Sequence, residues 1–262
     1  DYRAIDSFYE HNRVEGLAEM MNYVGVANAD EQVLEKIVAA QAHHKKIDGH
    51  APGLAGNDLN AYIAAGVYSD HECSSVEDAI AKLERGQYIM IREGTAARNL
   101  DALLPLLTPQ YYTYCMFCTD DKHPNDLLEK GHIDYIVRRA IKAGVDPIIA
   151  VKCASHHAAR YFLLNNRGAI APGKRADLLV LDDLTFATAP HRVYAAGALV
   201  AQDGTFVGEV APETAEVAAL ADELRASVKL PKLSLDVFDY AFKPGEAVID
   251  VVPGQAITSM AR

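Results

Sequence analysis

Between Val14 and about Gly144, short apolar runs alternate with stretches whose apolar positions recur at helical spacing. Val14–Met21 (VEGLAEMM) is a strand candidate, followed by a helix over roughly Ala29–His44. There Val33, Leu34, Ile37, Val38 and Ala40 keep the i, i+3, i+4 rhythm. A strand at Ile47–Ala51, a helix at Asn57–Ala65 capped by Asn57 or Asp58, and a strand at Val67–Glu72 follow. Ser74 or Ser75 caps the next helix, whose first turn holds Glu77 and Asp78, where the helix dipole favours acids. Tyr88–Glu93 (YIMIRE) reads as a strand, Asn99–Leu107 as a helix, Thr113–Thr119 as a strand and Asp126–Ala143 as one long helix.

Strand–helix units repeated without a break predict a parallel α/β architecture. Five such units are visible, whereas a closed eight-stranded barrel takes about 250 residues. After a helical stretch at Pro147–Phe162 the pattern changes. Gly168–Lys174 is a turn-rich loop, Ala176–Leu181 a strand, and Arg192–Val200 a second strand with a glycine turn, as in a small β module. Pro212–Val228 reads as a helix, and Phe238–Val252 has strand character with no identifiable partner. The chain starts at Asp1 without methionine, and Asp1–Arg13 reads as the end of a helix already under way, as expected of a piece of a longer polypeptide.

Composition narrows the function classes. The 262 residues are 50% hydrophobic and 23% charged, enough for a sizeable core. No run approaches the ~20 apolar residues of a membrane span, so neither a membrane nor an export signal is expected and the compartment reads as cytoplasmic. A formal net charge of −11 argues against a nucleic-acid partner, which would need clustered Lys and Arg. Four cysteines are too few for a disulfide framework and read as reduced thiols.

Reacting groups of a (β/α) barrel sit at the C-terminal ends of its strands. Those ends carry Glu19, His50, His71 with Glu72, Arg92 with Glu93, and Asp120 with Asp121. Two imidazoles and two carboxylates suit a divalent ion such as Mn, Fe or Zn, and a bound ion brings the pKa of water toward ~7. An unpaired Glu19 inside an apolar strand would be costly to bury, so a ligand role explains it better than a surface role. Cys115 and Cys118 have C-x-x-C spacing, but positions i and i+3 of a strand face opposite sides, so a shared metal is not expected. The His43-His44 and His156-His157 pairs fall in helices and read as surface or packing residues.

Several motifs together resemble the adenine deaminase branch of the amidohydrolase superfamily. They are Gly16–Met21 (GLAEMM), Asp48–Leu54 (DGHAPGL), Asp58–Gly66 (DLNAYIAAG), Asp70–Glu72 (DHE), Met90–Asn99 (MIREGTAARN), Cys118–Lys122 (CTDDK), Gly131–Arg139 (GHIDYIVRR) and Gly168–Asp182 (GAIAPGKRADLLVLD). The resemblance implies a partial TIM-type (β/α) barrel, about its second half, plus segments of a small β domain. The expected division is 1–165 barrel, 166–204 return strands to a β-sandwich, and 205–262 a linker and the start of a C-terminal domain.

By the same resemblance, Glu19 is the carboxylate bridging two metals, His50 and His71 ligate one ion, and Asp120 binds metal and moves the proton. Glu72 and Asp121 are supporting catalytic carboxylates, and Arg92 and Glu93 line the substrate side. The family's His-x-His of strand one does not occur in these residues. The implied reaction is hydrolytic deamination of adenine to hypoxanthine and ammonia by a binuclear centre, with two Mn or Fe ions (or Zn) per full-length chain. A purine base is the implied partner, and a homo-oligomer the implied assembly. The alternatives are another cyclic amidohydrolase on the same fold, or a non-catalytic scaffold.

Overall fold

The computed structural model describes residues 1–210, 212–239, 241, 243, 247–255 and 258–261. Its first strands are β1 (Gly16–Met20), β2 (Lys46–Gly49), β3 (Ser69–Asp70), β4 (Tyr88–Arg92) and β5 (Cys115–Cys118). β1 pairs with β2 in parallel, and β3, β4 and β5 form a second parallel ladder in that order. Between β2 and β3 a side-chain bond joins the edges, from Gly49 N to Ser69 Oγ at 3.2 Å. Glycine is required for that approach, since a Cβ on Gly49 would lie 2.1 Å from Ser69 O. Spatial order therefore follows chain order. That is the wall of a (β/α) barrel, not a doubly wound sheet, where the order reverses.

Helices α1 (Tyr2–Asp6), α2 (Tyr23–Ala27), α3 (Glu31–Ala42), α4 (Gly56–Ala64), α5 (Val76–Leu83) and α6 (Leu100–Leu103) come before β5. α7 (Pro124–Lys130), α8 (Ile133–Lys142), α9 (Pro147–Val151) and α10 (His157–Tyr161) come after it. α3 starts where the Asp30 carboxylate accepts from Val33 N, and it buries Val33, Ile37 and Ala40. α5 starts where Ser75 Oγ accepts from Asp78 N.

The helices differ from expectation in five places. α2 was not anticipated, and Asn22 caps it through Gly25 N. Ala55, which cannot cap by its side chain, occupies the position before α4 in place of Asn57 or Asp58. The expected long helix 126–143 is two, because Gly131 at φ 105° leaves the helical region between α7 and α8. Leu104–Leu106, containing Pro105, closes α6 as a 3-10 turn, and Lys152–His156 forms a π turn between α9 and α10.

Alternation along the strands sorts the side chains into layers. Ile89, Ile91, Cys115 and Phe117 pack outward against Leu100, Leu103, Ile136 and Val137. Met90 and Met116 face inward with Tyr161, Tyr88 and Cys118. Cys115 and Cys118 thus lie on opposite faces of β5. A separate cluster of Leu17, Ile47, Ile37, Leu59 and Tyr62 holds α3 and α4 against β1 and β2.

Beyond the helices, β6 (Leu178–Val180), β7 (Arg192–Ala195), β8 (Ala198–Gln202) and β9 (Thr205–Phe206) form an antiparallel meander. The turn Ala196–Gly197, with φ 52° and 84°, joins β7 to β8. α11 (Ala215–Arg225) is capped by Thr214. Of the strand expected over 238–252, residues 240, 242 and 244–246 lie outside the described residues. β10 (Val248–Val251) pairs antiparallel with β11 (Thr258–Ala261), the partner that was missing from the sequence reading. No described helix is long and apolar enough to cross a membrane.

Candidate metal centre

Each of β1 to β5 ends at the same rim, and the rim side chains converge there. Glu19 reaches it through a break in register between Leu17 and Met20, which leaves Glu19 at φ 57°. Such a bulge re-aims a side chain. The Glu19 carboxylate is consequently half exposed, not buried in the strand as expected. Asp120, two residues past β5, is the other rim acid with left-handed backbone, at φ 45°. Left-handed backbone is uncommon for residues with a Cβ and gathers at functional sites.

His50 Nδ1 lies 2.8 Å from Glu19 Oε1 and 3.5 Å from Glu72 Oε1. His71 Nε2 lies 3.1 Å from Glu19 Oε1 and 3.3 Å from Glu72 Oε1, and the two rings meet edge to face at 5.3 Å. Despite these neighbours His71 Nε2 is buried without a hydrogen bond. Arg92 pairs with both Glu72 oxygens and donates from Nη1 to Asp120 Oδ2 at 2.8 Å.

Burial disfavours the Glu72 carboxylate, but His71 and the Arg92 guanidinium outweigh it and hold its pKa at about 2. Burial likewise favours a neutral His71, yet the Glu72 and Asp70 carboxylates raise its pKa. Ligand atoms of Glu19, His50 and His71 lie within 4.8 Å of one another, as do those of His71, Glu72 and Asp120. An orphaned imidazole nitrogen facing carboxylates fits a divalent cation. Arg92 already neutralises part of the second group, so Glu19, His50 and His71 form the set more open to an ion.

Two expected site residues point elsewhere. Asp121 accepts from Thr95 N at 3.0 Å and Ala96 N at 2.8 Å, which pins the loop after β4. Glu93 is buried against Arg139, 2.7 Å away on α8. Burial raises its carboxyl pKa despite that arginine.

The sequence reading missed a set of buried polar side chains that tie neighbouring strand ends together. Tyr62 accepts from His50 N and donates to Met20 O at 2.6 Å, joining β1 to β2. Asn99 donates to His71 O and Cys73 O and accepts from Arg92 N, joining β3 to β4. Asp70 and Lys82, both fully buried, pair at 2.7 Å between β2 and β3. The ammonium of Lys82 fills the space among Asp70, Cys73 and Asp78, a further cluster of metal-ligand types. Lys82 could have been noticed as a cation on the apolar stripe of α5, three residues after the buried Ala79.

Comparison with known proteins bears on this site. The profile described as "Amidohydrolase family" matches residues 3–211. The adenine deaminase of Desulfatibacillum aliphaticivorans is 47% identical over 255 residues, covering 96% of this chain and 43% of that protein. The adenine deaminase of Kosmotoga olearia is 54% identical over 175 residues, covering 67% of this chain and 30% of its own length. The chain thus spans less than half the length of these curated relatives. Among solved structures, the β-aspartyl dipeptidase of Fervidobacterium islandicum AW-1 superposes with a TM-score of 0.53 at 16% identity, over 69% of this chain and 55% of that one. An enamidase described as an amidohydrolase superfamily member gives 0.50 at 17% identity, over 71% and 53%. At such identities the shared feature is the fold.

Proposed function

The chain belongs to the amidohydrolase family, and on that premise we propose that its rim cluster is part of the catalytic centre of a hydrolytic adenine deaminase, converting adenine and water to hypoxanthine and ammonia. The observation that carries the reading is the convergence of Glu19, His50, His71 and Asp120 from four separate strand ends. Adenine as substrate comes from the names of the curated relatives. In this reading residues 1–165 are barrel wall, 166–204 return to a small β domain, and 205–262 lead into a further one.

Glu19, His50, His71 and Asp120 would hold divalent metal, with two Mn or Fe ions per complete centre. A bound cation supplies Lewis acidity that makes water nucleophilic near neutral pH. Asp120, half exposed at the mouth, accepts the proton that water loses as its oxygen joins purine carbon 6. The same carboxyl then delivers that proton to the departing nitrogen, so ammonia leaves and hypoxanthine remains. Arg92 aims Asp120 through its Nη1 donation, and Glu72 anchors Arg92 from behind. Asp121 and Glu93 support the rim from its edges.

The test is an assay of the metal-loaded polypeptide that carries this chain. Hypoxanthine and ammonia should appear in equal amounts from adenine, and Asp120→Asn should lower kcat by about 10²- to 10⁴-fold. Ring opening of hydantoin-like amides with no ammonia from adenine would assign a different cyclic amidohydrolase. A protein that takes up no metal and turns over neither substrate would be a scaffold.

A further inference from the structure

We propose that Lys82 is a positioning residue for the metal centre: through Ala51 and Asp70 it sets the spacing of the strand ends that carry His50 and His71. The proposal rests on reading those histidines as ligands.

Lys82 lies on α5, behind the rim, with its side chain fully buried. Its ammonium has three donors, and acceptors surround it: Ala51 O at 2.8 Å, Asp70 Oδ2 at 2.7 Å and Asp78 Oδ1 at 3.0 Å. The carboxylate it holds faces the same strand ends, since Asp70 Oδ1 accepts from Ala51 N at 2.9 Å and Glu72 N at 3.3 Å. Ala51 is therefore gripped at both its N–H and its C=O. It follows His50 directly, as Asp70 directly precedes His71. No backbone ladder joins β2 to β3, so this knot takes over the register between them.

Packing alone is a poor reason for the pair. Removing two charges from water costs several kcal/mol for each ion, and apolar side chains of similar volume often stabilise a core as well or better. What apolar side chains cannot do is fix the carbonyl and the amide of one residue at set positions.

The test measures Co²⁺ binding to the purified protein by chelator competition, with the visible absorption of bound Co²⁺ reporting ligand geometry. Lys82→Met should weaken Co²⁺ binding on the order of 10- to 100-fold and alter the spectrum. A simple charge effect predicts the reverse, because the substitution removes a positive charge near the cation.

The double variant Asp70→Asn/Lys82→Met separates positioning from folding. It leaves no fully buried carboxylate uncompensated, since Asp78 keeps partial contact with solvent, so thermal stability should recover toward wild type while Co²⁺ binding stays weak and the spectrum stays altered. Wild-type affinity and spectrum in the double variant would overturn the proposal. Wild-type protein that binds no Co²⁺ would instead sink the metal reading, and the proposal with it. If the variants do not fold, amide exchange of the metal-free wild type decides. Ala51 and Glu72 should be protected up to global unfolding, and exchange as fast as in an open loop would overturn the proposal.

Discussion

Glu19 and Asp120 hold their side chains over the rim from backbone that residues with a Cβ rarely adopt, at φ 57° and 45°. A left-handed residue with a Cβ costs about 1–2 kcal/mol, and a glycine would relieve it while giving back part through its freer unfolded state. Glu19→Gly should therefore leave metal-free stability within about 1 kcal/mol of wild type in urea titrations, while divalent-ion binding by calorimetry is lost. A large drop in metal-free stability would show that Glu19 supports the fold and not a ligand site. A thiol gives a second check. Burial pushes the Cys115 thiol up to about 12, so it should react with a disulfide reagent at pH 8 only after unfolding. That Glu19, His50, His71 and Asp120 come together at one rim was legible in the sequence, because each lies at a strand end and parallel strands of a barrel end on one side. Tyr62, Lys82 and Asn99 were not, because their partners are backbone atoms of distant residues that no local pattern reveals. Glu93 and Asp121 could not be separated from their neighbours Arg92 and Asp120, since adjacent residues turn opposite ways and only the loop path says which.

At the scale of elements, the sequence showed most where burial is one-sided. α3 and α5 follow their apolar periodicity and their caps Asp30 and Ser75. It showed least where one residue overrides a pattern. Gly131 splits an apolar rhythm that runs unbroken through α7 and α8, and β3 shrinks to Ser69–Asp70 because side chains replace its ladder to β2. α4 exposes a local weakness. Ala55 sits before it at φ −143° and ψ 175°, extended as a capping residue should be, but it has no side-chain acceptor for the first free amides. Ala55→Ser should raise stability by about 0.5–1 kcal/mol, seen as a higher thermal midpoint. No gain would mean that these amides already have water or another partner. Gly49→Ala should act in the opposite direction. Its Cβ would meet Ser69 O, and overpacking of this kind costs about 1–3 kcal/mol. The loss should appear as a lower urea midpoint, with divalent-ion binding weakened as well because His50 is the next residue.

For the whole molecule, the rim is a charge imbalance held in place by the fold. The carboxylates of Glu19, Glu72 and Asp120 meet there with one guanidinium, Arg92. In the metal-free protein the cluster answers to pH from both sides. The Glu72 carboxyl is held at about 2 in the fold against 4.5 unfolded, so its stabilising contribution is full above the unfolded value and is lost as pH falls toward 2. His71 has its pKa raised above 6.5, so its contribution is full below that value and is lost as pH rises through the folded pKa. Metal-free stability contributed by the rim should therefore be greatest between these two unfolded values and fall away on each side. A divalent ion changes the alkaline limb, because a ligating imidazole must be neutral and binding displaces its proton. An ion concentration 100 times the dissociation constant at pH 6 adds about 2.7 kcal/mol there, and at that same concentration the gain should grow as pH rises to 8. Urea unfolding across pH 4 to 9, with chelator and with Co²⁺, measures both limbs. Curves that keep a constant separation through the His71 titration would mean that the ion binds away from His71, and the rim would lose its place as the metal centre.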